Sequence, residues 1–491
     1  METLNLELNE VEVTYLDRVI LNIPKLTVYQ NDRIGIVGAN GQGKTTLLDL
    51  INGRIKPNSG NVNRVVSFNY YEQIKQANAS LNADLLDAKL LGRMKVPLNS
   101  VETLSGGEQT RLRLAQVLSK YELGLIMDEP TTHLDADAIN YLIDELRYYY
   151  GTLILVSHDR YFLDHLVTKI WEVNNGTVHE YEGNYSDYSE QKKLAALEKQ
   201  RNHENYLTEK KRLERSAEKK LLQVQKMSQV SVKKQKRSIK PDRLSASKSK
   251  DSVQKAAQKT VKSIEKRIDQ LEEVSPMQKQ QQIHFPLSRN LAIHNKYPVM
   301  GQDISLMRGN KVLLNRANFQ FPLGKVISIT GNNGTGKSTL LNYILQDGEG
   351  IVLSPKVVFG QYHQMDYKFS NRVSIIEYLQ KFTDYSESTI RAVLSNIGFR
   401  QTDLGKIVSD ISGGEATRLV LARLFLQPSN VLILDEPTNF IDVLTIEALE
   451  EFIKKYEGTV IFTSHDRYFT EKIADQVWKI DNEKLVLIYD R

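Results

Sequence analysis

Cysteine is absent from all 491 residues. Disulfides, thiolate metal sites and cysteine nucleophiles are thereby excluded, and a reducing compartment is compatible with the composition. No stretch approaches the roughly 18 uninterrupted apolar residues of a membrane span. The first residues, with Glu2, Glu7 and Glu10, lack the basic region and apolar core of a secretory leader. A chain that stays in the cytoplasm and spans no membrane is expected. Net charge of one sign is nearly missing too, since 65 Lys+Arg stand against 60 Asp+Glu. That average conceals a segregation: between Gln191 and Gln282 there are 25 basic and 11 acidic residues, a surplus of 14 that leaves the remainder at −9. Two mildly acidic folded units joined by a segment that faces a polyanion are the expected pattern. At about 100 to 200 residues per domain the length allows two or three domains.

What is present is a duplication. Gly38, Ala39, Asn40, Gly41, Gln42, Gly43, Lys44, Thr45 and Thr46 are answered by Gly331, Asn332, Asn333, Gly334, Thr335, Gly336, Lys337, Ser338 and Thr339. Leu104-Ser105-Gly106-Gly107-Glu108 is answered by Ile411-Ser412-Gly413-Gly414-Glu415, and Asp128-Glu129-Pro130-Thr131 by Asp435-Glu436-Pro437-Thr438. The serine precedes the aspartate by 23 residues in both copies, and the glutamate precedes His158 or His465 by 29 in both.

Each glycine loop follows a short apolar run, Arg33 to Val37 or Val326 to Thr330, and opens into a helical pattern from Thr46 or Thr339. Strand, loop and helix form the context of a P-loop. Glycines let backbone N–H groups curl around phosphates, Lys44 or Lys337 reaches the β and γ oxygens, and Thr45 or Ser338 ligates magnesium. One such loop fits a chance glycine turn; two at repeated positions do not. The runs Leu123 to Met127 and Val431 to Leu434 read as buried parallel strands. Asp128 and Asp435 at their ends could hold the magnesium shell, and Glu129 and Glu436, one residue further out, could polarise an attacking water.

The Ser-Gly-Gly-Glu segments resemble the signature of ATP-binding-cassette ATPases. The resemblance implies an α/β fold with two P-loop nucleotide-binding cassettes packed head to tail as an intramolecular dimer in a monomer, with ATP and Mg2+ as cofactors. It further implies that Lys44 shares its nucleotide with Ser412 and Lys337 with Ser105. Gln73 and Gln364 match the Q-loop glutamine beside the magnesium, Asp135 and Asp442 the D-loop, and His158 and His465 the switch histidine near the γ-phosphate. Tyr15 matches the aromatic that stacks on adenine. Its counterpart is Arg308, and Thr132-His133-Leu134 is replaced by Asn439-Phe440-Ile441, so the two sites are expected to hydrolyse at unequal rates.

Between the cassettes, from Ser186 to Gln282, glycine is absent and Lys, Glu, Gln, Leu and Ala dominate, a composition of long exposed helices. Tyr206, Leu213, Ala217, Leu221 and Val224 form one heptad-like stripe, and Ala257, Val261, Ile264, Ile268 and Leu271 another. An antiparallel helical hairpin is predicted, its first helix from about Tyr188 to Met227. The break from Ser228 to Asp251 carries Lys233, Lys234, Lys236, Arg237, Lys240, Arg243, Lys248 and Lys250, with Leu244 isolated among them. A basic tip of this kind suits phosphate backbones, and Leu244 could touch a base. A solvated coiled-coil surface is the plainer reading of a charge run, but such a surface would balance its signs.

Cassette, basic hairpin, cassette looks like the ABC-F family, and Tyr181-Glu-Gly-Asn-Tyr185-Ser-Asp-Tyr188 resembles the family's passage into its linker. The expected boundaries are 1–187, 188–282 and 283–491. The resemblance implies binding of the 70S ribosome at its E site, with the linker tip directed toward 23S rRNA, the P-site tRNA and the peptidyl-transferase centre, and no membrane-spanning partner. Only 31 residues separate Gln73 from Ser105, too few for the helical arm of the family's housekeeping translation factors. The antibiotic-resistance branch is therefore expected, with macrolide and streptogramin B protection favoured. A housekeeping factor, the ATPase subunit of a drug exporter and a DNA-repair ATPase remain alternatives.

Overall fold

The computed structural model describes residues 3–16, 18–72, 88–94, 106–235, 259–264, 266–271, 291–362, 369, 372–439 and 441–491, with 88–89 and 223–235 described through their backbone alone. The chain divides into two compact units, Met1–Tyr188 with Gln280–Arg491, and Ser189–Lys279.

The larger unit holds the duplication. In the first cassette six strands lie in the spatial order Phe68–Tyr71, Gly124–Asp128, Thr152–Val156, Arg33–Val37, Lys169–Asn174 and Thr177–Glu182. All neighbours are parallel except the last pair. The second cassette repeats the order with Phe359–Tyr362, Val431–Asp435, Thr459–Thr463, Val326–Thr330, Gln476–Asp481 and Lys484–Asp490. Strands covered on both faces read as continuous apolar runs, and Gly124–Asp128 and Thr152–Val156 are buried at every position. Each cassette adds a three-stranded antiparallel sheet, formed in the first by Leu4–Tyr15, Arg18–Tyr29 and Ser59–Arg64. There alternation takes over, with Leu6, Leu8, Val11 and Val13 turned into the core. The phosphate loops leave the carboxyl ends of Arg33–Val37 and Val326–Thr330, where open α/β sheets bind their ligands.

Local readings shift by a few residues. The helices after the glycine loops are Lys44–Asn52 and Lys337–Leu345, two residues earlier than the pattern suggests, because Gly43 and Gly336, with φ of 98° and 105°, make the turn by themselves. Leu123 is 46% exposed and precedes its strand, which starts at Gly124 where a Cβ would lie 2.4 Å from the Phe68 ring.

In the smaller unit the helix Tyr185–Gln235 continues past the predicted end at Met227, since neither proline nor glycine interrupts the chain before Pro241. Its 51 residues span about 77 Å at about 1.5 Å each. Along it Leu213 is buried and Tyr206 and Ala217 half-buried. The stretch 259–269 is helical wherever it is described, with Val261 buried and Ile264 and Ile268 half-buried. These are members of the two predicted stripes, but Leu221, expected in the first, is exposed. Ser228–Gln235 is thus helix rather than a break, and Lys236, Arg237, Lys240, Arg243, Leu244, Lys248 and Lys250 lie outside the described residues.

Candidate functional site

Both glycine loops take the same unusual backbone path, with φ of 151°, 78° and 98° at Gly38, Gly41 and Gly43 and of 145°, 74° and 105° at Gly331, Gly334 and Gly336. Repeated left-handed residues turn successive N–H groups to one side and make an anion-binding concavity at a helix N-terminus. Gly38 has a further constraint, since a Cβ there would stand 2.4 Å from the Val173 carbonyl oxygen. Lys44 Nζ donates to Gly38 O at 2.7 Å and Ala39 O at 3.2 Å, and Lys337 Nζ to Gly331 O at 2.8 Å and Asn332 O at 3.2 Å. Burial lowers the pKa of both ammonium groups, against the pull of neighbouring carboxylates, first among them Glu129 and Glu436.

The next residues pair a hydroxyl with the carboxylate that ends a strand. Thr45 Oγ1 donates to Asp128 Oδ2 at 3.2 Å, and Ser338 Oγ to Asp435 Oδ1 at 3.0 Å. One hydroxyl and one carboxylate facing a phosphate cradle are a donor set that fits Mg2+, which takes few protein ligands and completes its octahedron with phosphate and water. Among the described residues no group of three or more His, Asp or Glu could hold a metal by itself. Gln73 and Gln364 lie outside them.

Glu129 and Glu436 adopt φ of 50° and 49°. For a side chain with a Cβ such a conformation costs roughly 1–3 kcal/mol and persists only where its surroundings impose it. It brings one carboxyl oxygen to the backbone N–H of the switch histidine, at 3.3 Å for His158 and 3.1 Å for His465. The other oxygen, Oε1, is buried without a hydrogen-bond partner in both copies, 3.4 Å from His158 Nε2 and 3.3 Å from His465 Nε2. Burial pushes the Glu436 carboxyl up to about 7 and His465 down to about 4, the latter reinforced by Lys337. Glu129 rises and His158 falls for the same reason. A neutral imidazole beside a carboxyl with one unsatisfied oxygen can hold a water and take its proton.

These elements meet across the two cassettes. A cavity of about 600 Å³ is lined by Tyr15, Lys44, Thr45, Thr46, Asp128, Glu129 and His158 from one and by Ser412, Gly414, Arg418, Asn439 and His465 from the other. Lys44 and Ser412 thus share one space. Asn40 N–H donates to Asp442 Oδ2 at 3.0 Å, while Asn333 N–H donates to Asp135 Oδ2 at 3.3 Å and its Nδ2 to His133 O at 3.0 Å. The Cβ position of Gly107 is 3.4 Å from Asn333 Nδ2, so the first signature helix, Gly106–Ser119, starts beside the second phosphate loop. Ser105 and Phe440 lie outside the described residues.

Some predicted residues have local roles. Ser412 caps Gly413–Leu426, and Glu415 closes a capping box by accepting from Ser412 N at 2.9 Å and Oγ at 2.8 Å while pairing with Lys406 at 2.7 Å. Gln42 accepts from Asn175 N at 2.8 Å, and the Thr335 hydroxyl donates to Asn332 O at 2.9 Å. Tyr15 is 53% exposed at the cavity edge, Arg308 is exposed, and Lys233 and Lys234 fall within the long helix. Arg418 was not anticipated from sequence. It stands six residues after Ser412 as Arg111 does after Ser105, so the repeat itself carried the signal.

The model of the family described as ABC transporter matches residues 21–83 and 314–439. The chain is 43% identical to the Erythromycin resistance ATP-binding protein MsrA of Staphylococcus epidermidis, across 99% of each chain. It is 33% identical to the Ribosome protection protein VmlR of Bacillus subtilis, across 97% of this chain and 86% of that one. Among solved structures it is similar to RNase-L Inhibitor, with a TM-score of 0.65 and 17% identity over 98% of this chain and 91% of the other, a likeness of fold. Among the described residues no helix is long and apolar enough to cross a membrane.

Proposed function

Because the chain belongs to the ABC-F family of ATP-binding-cassette proteins, in its antibiotic-resistance branch, we propose that it is an ATPase that binds the ribosome with its cassettes closed and protects it from antibiotics, macrolides and streptogramins first. The observation that carries the ATP-driven part is the cavity that joins Lys44 and Glu129 to Ser412 and Gly414 of the opposite cassette. A nucleotide there would touch both halves and favour the closed arrangement by its differential affinity. Lys44 and Lys337 would hold the β and γ oxygens, and the N–H groups at the start of the signature helices would donate to the γ-phosphate. Thr45 with Asp128 and Ser338 with Asp435 would hold magnesium, which when bound would supply charge neutralisation of the phosphates. Glu129 and Glu436, oriented by His158 and His465, would take the proton of the attacking water, and reopening would release the ribosome.

The ribosomal part is supported by the relatives named for erythromycin resistance and ribosome protection and by the surplus of cations in the linker. In this reading residues 228–251 reach toward the P-site tRNA and the peptidyl-transferase centre from the E site. The test is translation in vitro with macrolide, lincosamide, pleuromutilin and phenicol drugs, with and without the protein. Recovery with at least one class is expected, and deletion of 228–251 should abolish it while ATP binding survives. Recovery with no class would leave a translation factor instead. The Glu129→Gln, Glu436→Gln protein should co-sediment with 70S ribosomes in ATP, and failure to do so would count against closure as the binding state.

A further inference from the structure

Two short helices follow the switch histidines, Arg160–Leu166 in one cassette and Arg467–Ile473 in the other, and they pack against each other. Arg160, 1% exposed, crosses this boundary. Its Nη2 donates to Glu450 Oε1 at 2.7 Å and to Asp466 Oδ2 at 3.4 Å, and its guanidinium carbon lies 4.4 Å from the centre of the Tyr468 ring. Glu450 is itself 1% exposed, and its second oxygen is 2.5 Å from Lys472 Nζ. Arg467 makes the reciprocal crossing, 5.1 Å from the Tyr161 ring centre and 3.4 Å from its hydroxyl. No acid answers it in the position of Glu450. The offset of 307 that relates His158 to His465 sets Ile143 opposite Glu450.

A buried ion pair is weak evidence for stability, because an apolar pair of similar volume serves as well or better. Ile143 fills the corresponding place in the first cassette without a charge, and Arg160 Nε is buried with no partner. What the charges add is a fixed geometry between two loops. Arg160 stands two residues after His158, and Asp466 directly follows His465, caps the second helix through Phe469 N at 2.9 Å and accepts the guanidinium from the first cassette. Displacing one switch histidine loop therefore pulls on the other through the Arg160–Asp466 pair.

We propose that Arg160, anchored by Glu450, is a positioning residue that ties the two switch-histidine loops together, so that the two ATP sites hydrolyse as a coupled pair. The proposal rests on the ATPase reading above, and Arg160 and Glu450 stand outside the lining of the nucleotide cavity, which Asp466 and the two histidines reach.

The experiment measures steady-state ATP turnover of the full chain without ribosomes, in the wild type, in Glu129→Gln and in Glu436→Gln, each with and without Arg160→Gln. Wild-type turnover should exceed the sum of the two single-site variants by at least about fivefold, the lower end of ordinary coupling between sites. With Arg160→Gln the total should equal the sum of its own single-site variants, while the ATP concentration for half-maximal turnover moves by less than about twofold. Arg160→Lys should restore part of the excess, and Arg467→Gln should leave it in place. Should Arg160→Gln fail to fold, Arg160→Met combined with Glu450→Ile removes the tie without leaving a buried charge at either position, and carries the same expectation. Turnover that keeps its excess in these variants, or a wild type that is already additive, would overturn the proposal alone. Absence of turnover in every protein would remove the ATPase reading and the proposal with it.

Discussion

Asp442 divides its carboxylate between the cassettes, which makes its contributions separable. Oδ1 caps the helix Val443–Lys455 by accepting from Thr445 N at 2.9 Å and Thr445 Oγ1 at 2.7 Å, and Oδ2 accepts the Asn40 N–H of the opposite phosphate loop at 3.0 Å. Burial pushes this carboxyl up, yet the bonds from Asn40 and Thr445 outweigh it and leave its pKa lowered, so the group is ionised where it bridges. Serine is as good an N-cap as aspartate but is too short to reach Asn40. Asp442→Ser should therefore keep the cap and lose one charge-assisted bond, worth about 1.5–3 kcal/mol. At about 1.4 kcal/mol per factor of ten, closure of the Lys44 site is weakened roughly 10- to 150-fold. The ATP concentration for half-maximal turnover should rise by a comparable factor while the urea midpoint stays near that of the wild type. Asp442→Ala should show the same nucleotide defect plus a loss of about 1 kcal/mol in unfolding from the missing cap. Identical unfolding of the serine and alanine variants, or an unshifted ATP curve for serine, would refute the division of roles. On the other side the Asp135 bond to Asn333 N is longer, 3.3 Å, so Asp135→Ser belongs at the low end of the range.

Gly38→Ala places a methyl 2.4 Å from Val173 O at a φ of 151°, so fluorescent-nucleotide binding should drop to one site per chain, with turnover at the Lys337 site persisting when assayed with Glu129→Gln as reference. Asp159, half-buried at the cavity, has its carboxyl pushed up to about 7 by burial and then by the charge of Asp466. Its folded pKa lies above the unfolded value of about 3.9, so its contribution to stability is complete below pH ~4 and is lost as pH rises through ~7. The urea midpoint of the wild type should fall between pH ~6.5 and 8, above the range in which His158 and His465, lowered by burial, act in the opposite sense, and Asp159→Asn should flatten part of that slope, the remainder belonging to Glu129, Glu436 and Asp466, which are raised in the same direction; an unchanged slope would refute the assignment.

The two glycine loops of the proposed phosphate sites were legible because their geometry is local. A cradle, a lysine and a hydroxyl must follow one strand within a few residues, so spacing alone identifies Gly38 to Thr45 and its copy. The bonds that bring the cassettes together were not legible in that way. Asn40 and Asp442 are 402 residues apart, and no periodicity reaches across such a distance; only the family resemblance paired Lys44 with Ser412. The left-handed backbone at Glu129 and Glu436 was hidden for another reason, since glutamate carries none of glycine's preference for positive φ and the surrounding fold imposes the conformation. The long helix outran its predicted end because an apolar stripe marks packing, whereas a helix continues through polar sequence until proline or glycine stops it.

The Arg160 cluster illustrates how a repeat can conceal as well as reveal. Arg160 and Arg467 both lie in Ser-His-Asp-Arg-Tyr-Phe, and agreement between copies invites one shared role, yet Arg160 meets the buried Glu450 whereas Arg467 meets the Tyr161 ring. The informative sign was a disagreement. In Val443–Lys455 the buried face includes Ile446, Leu449, Glu450 and Ile453, with Glu450 four residues after Ile446 and three before Ile453, a spacing that sets a carboxylate on an apolar stripe. The copy in Ala136–Arg147 places Ile143 there, as the stripe demands. A charge on the inward face of a helix needs a partner from elsewhere in the fold, because burying it alone costs far more than its neighbours return. Agreement between the copies does not by itself assign a shared role; where one copy alone breaks the burial pattern, as at Glu450, the break marks the surface on which the copies meet.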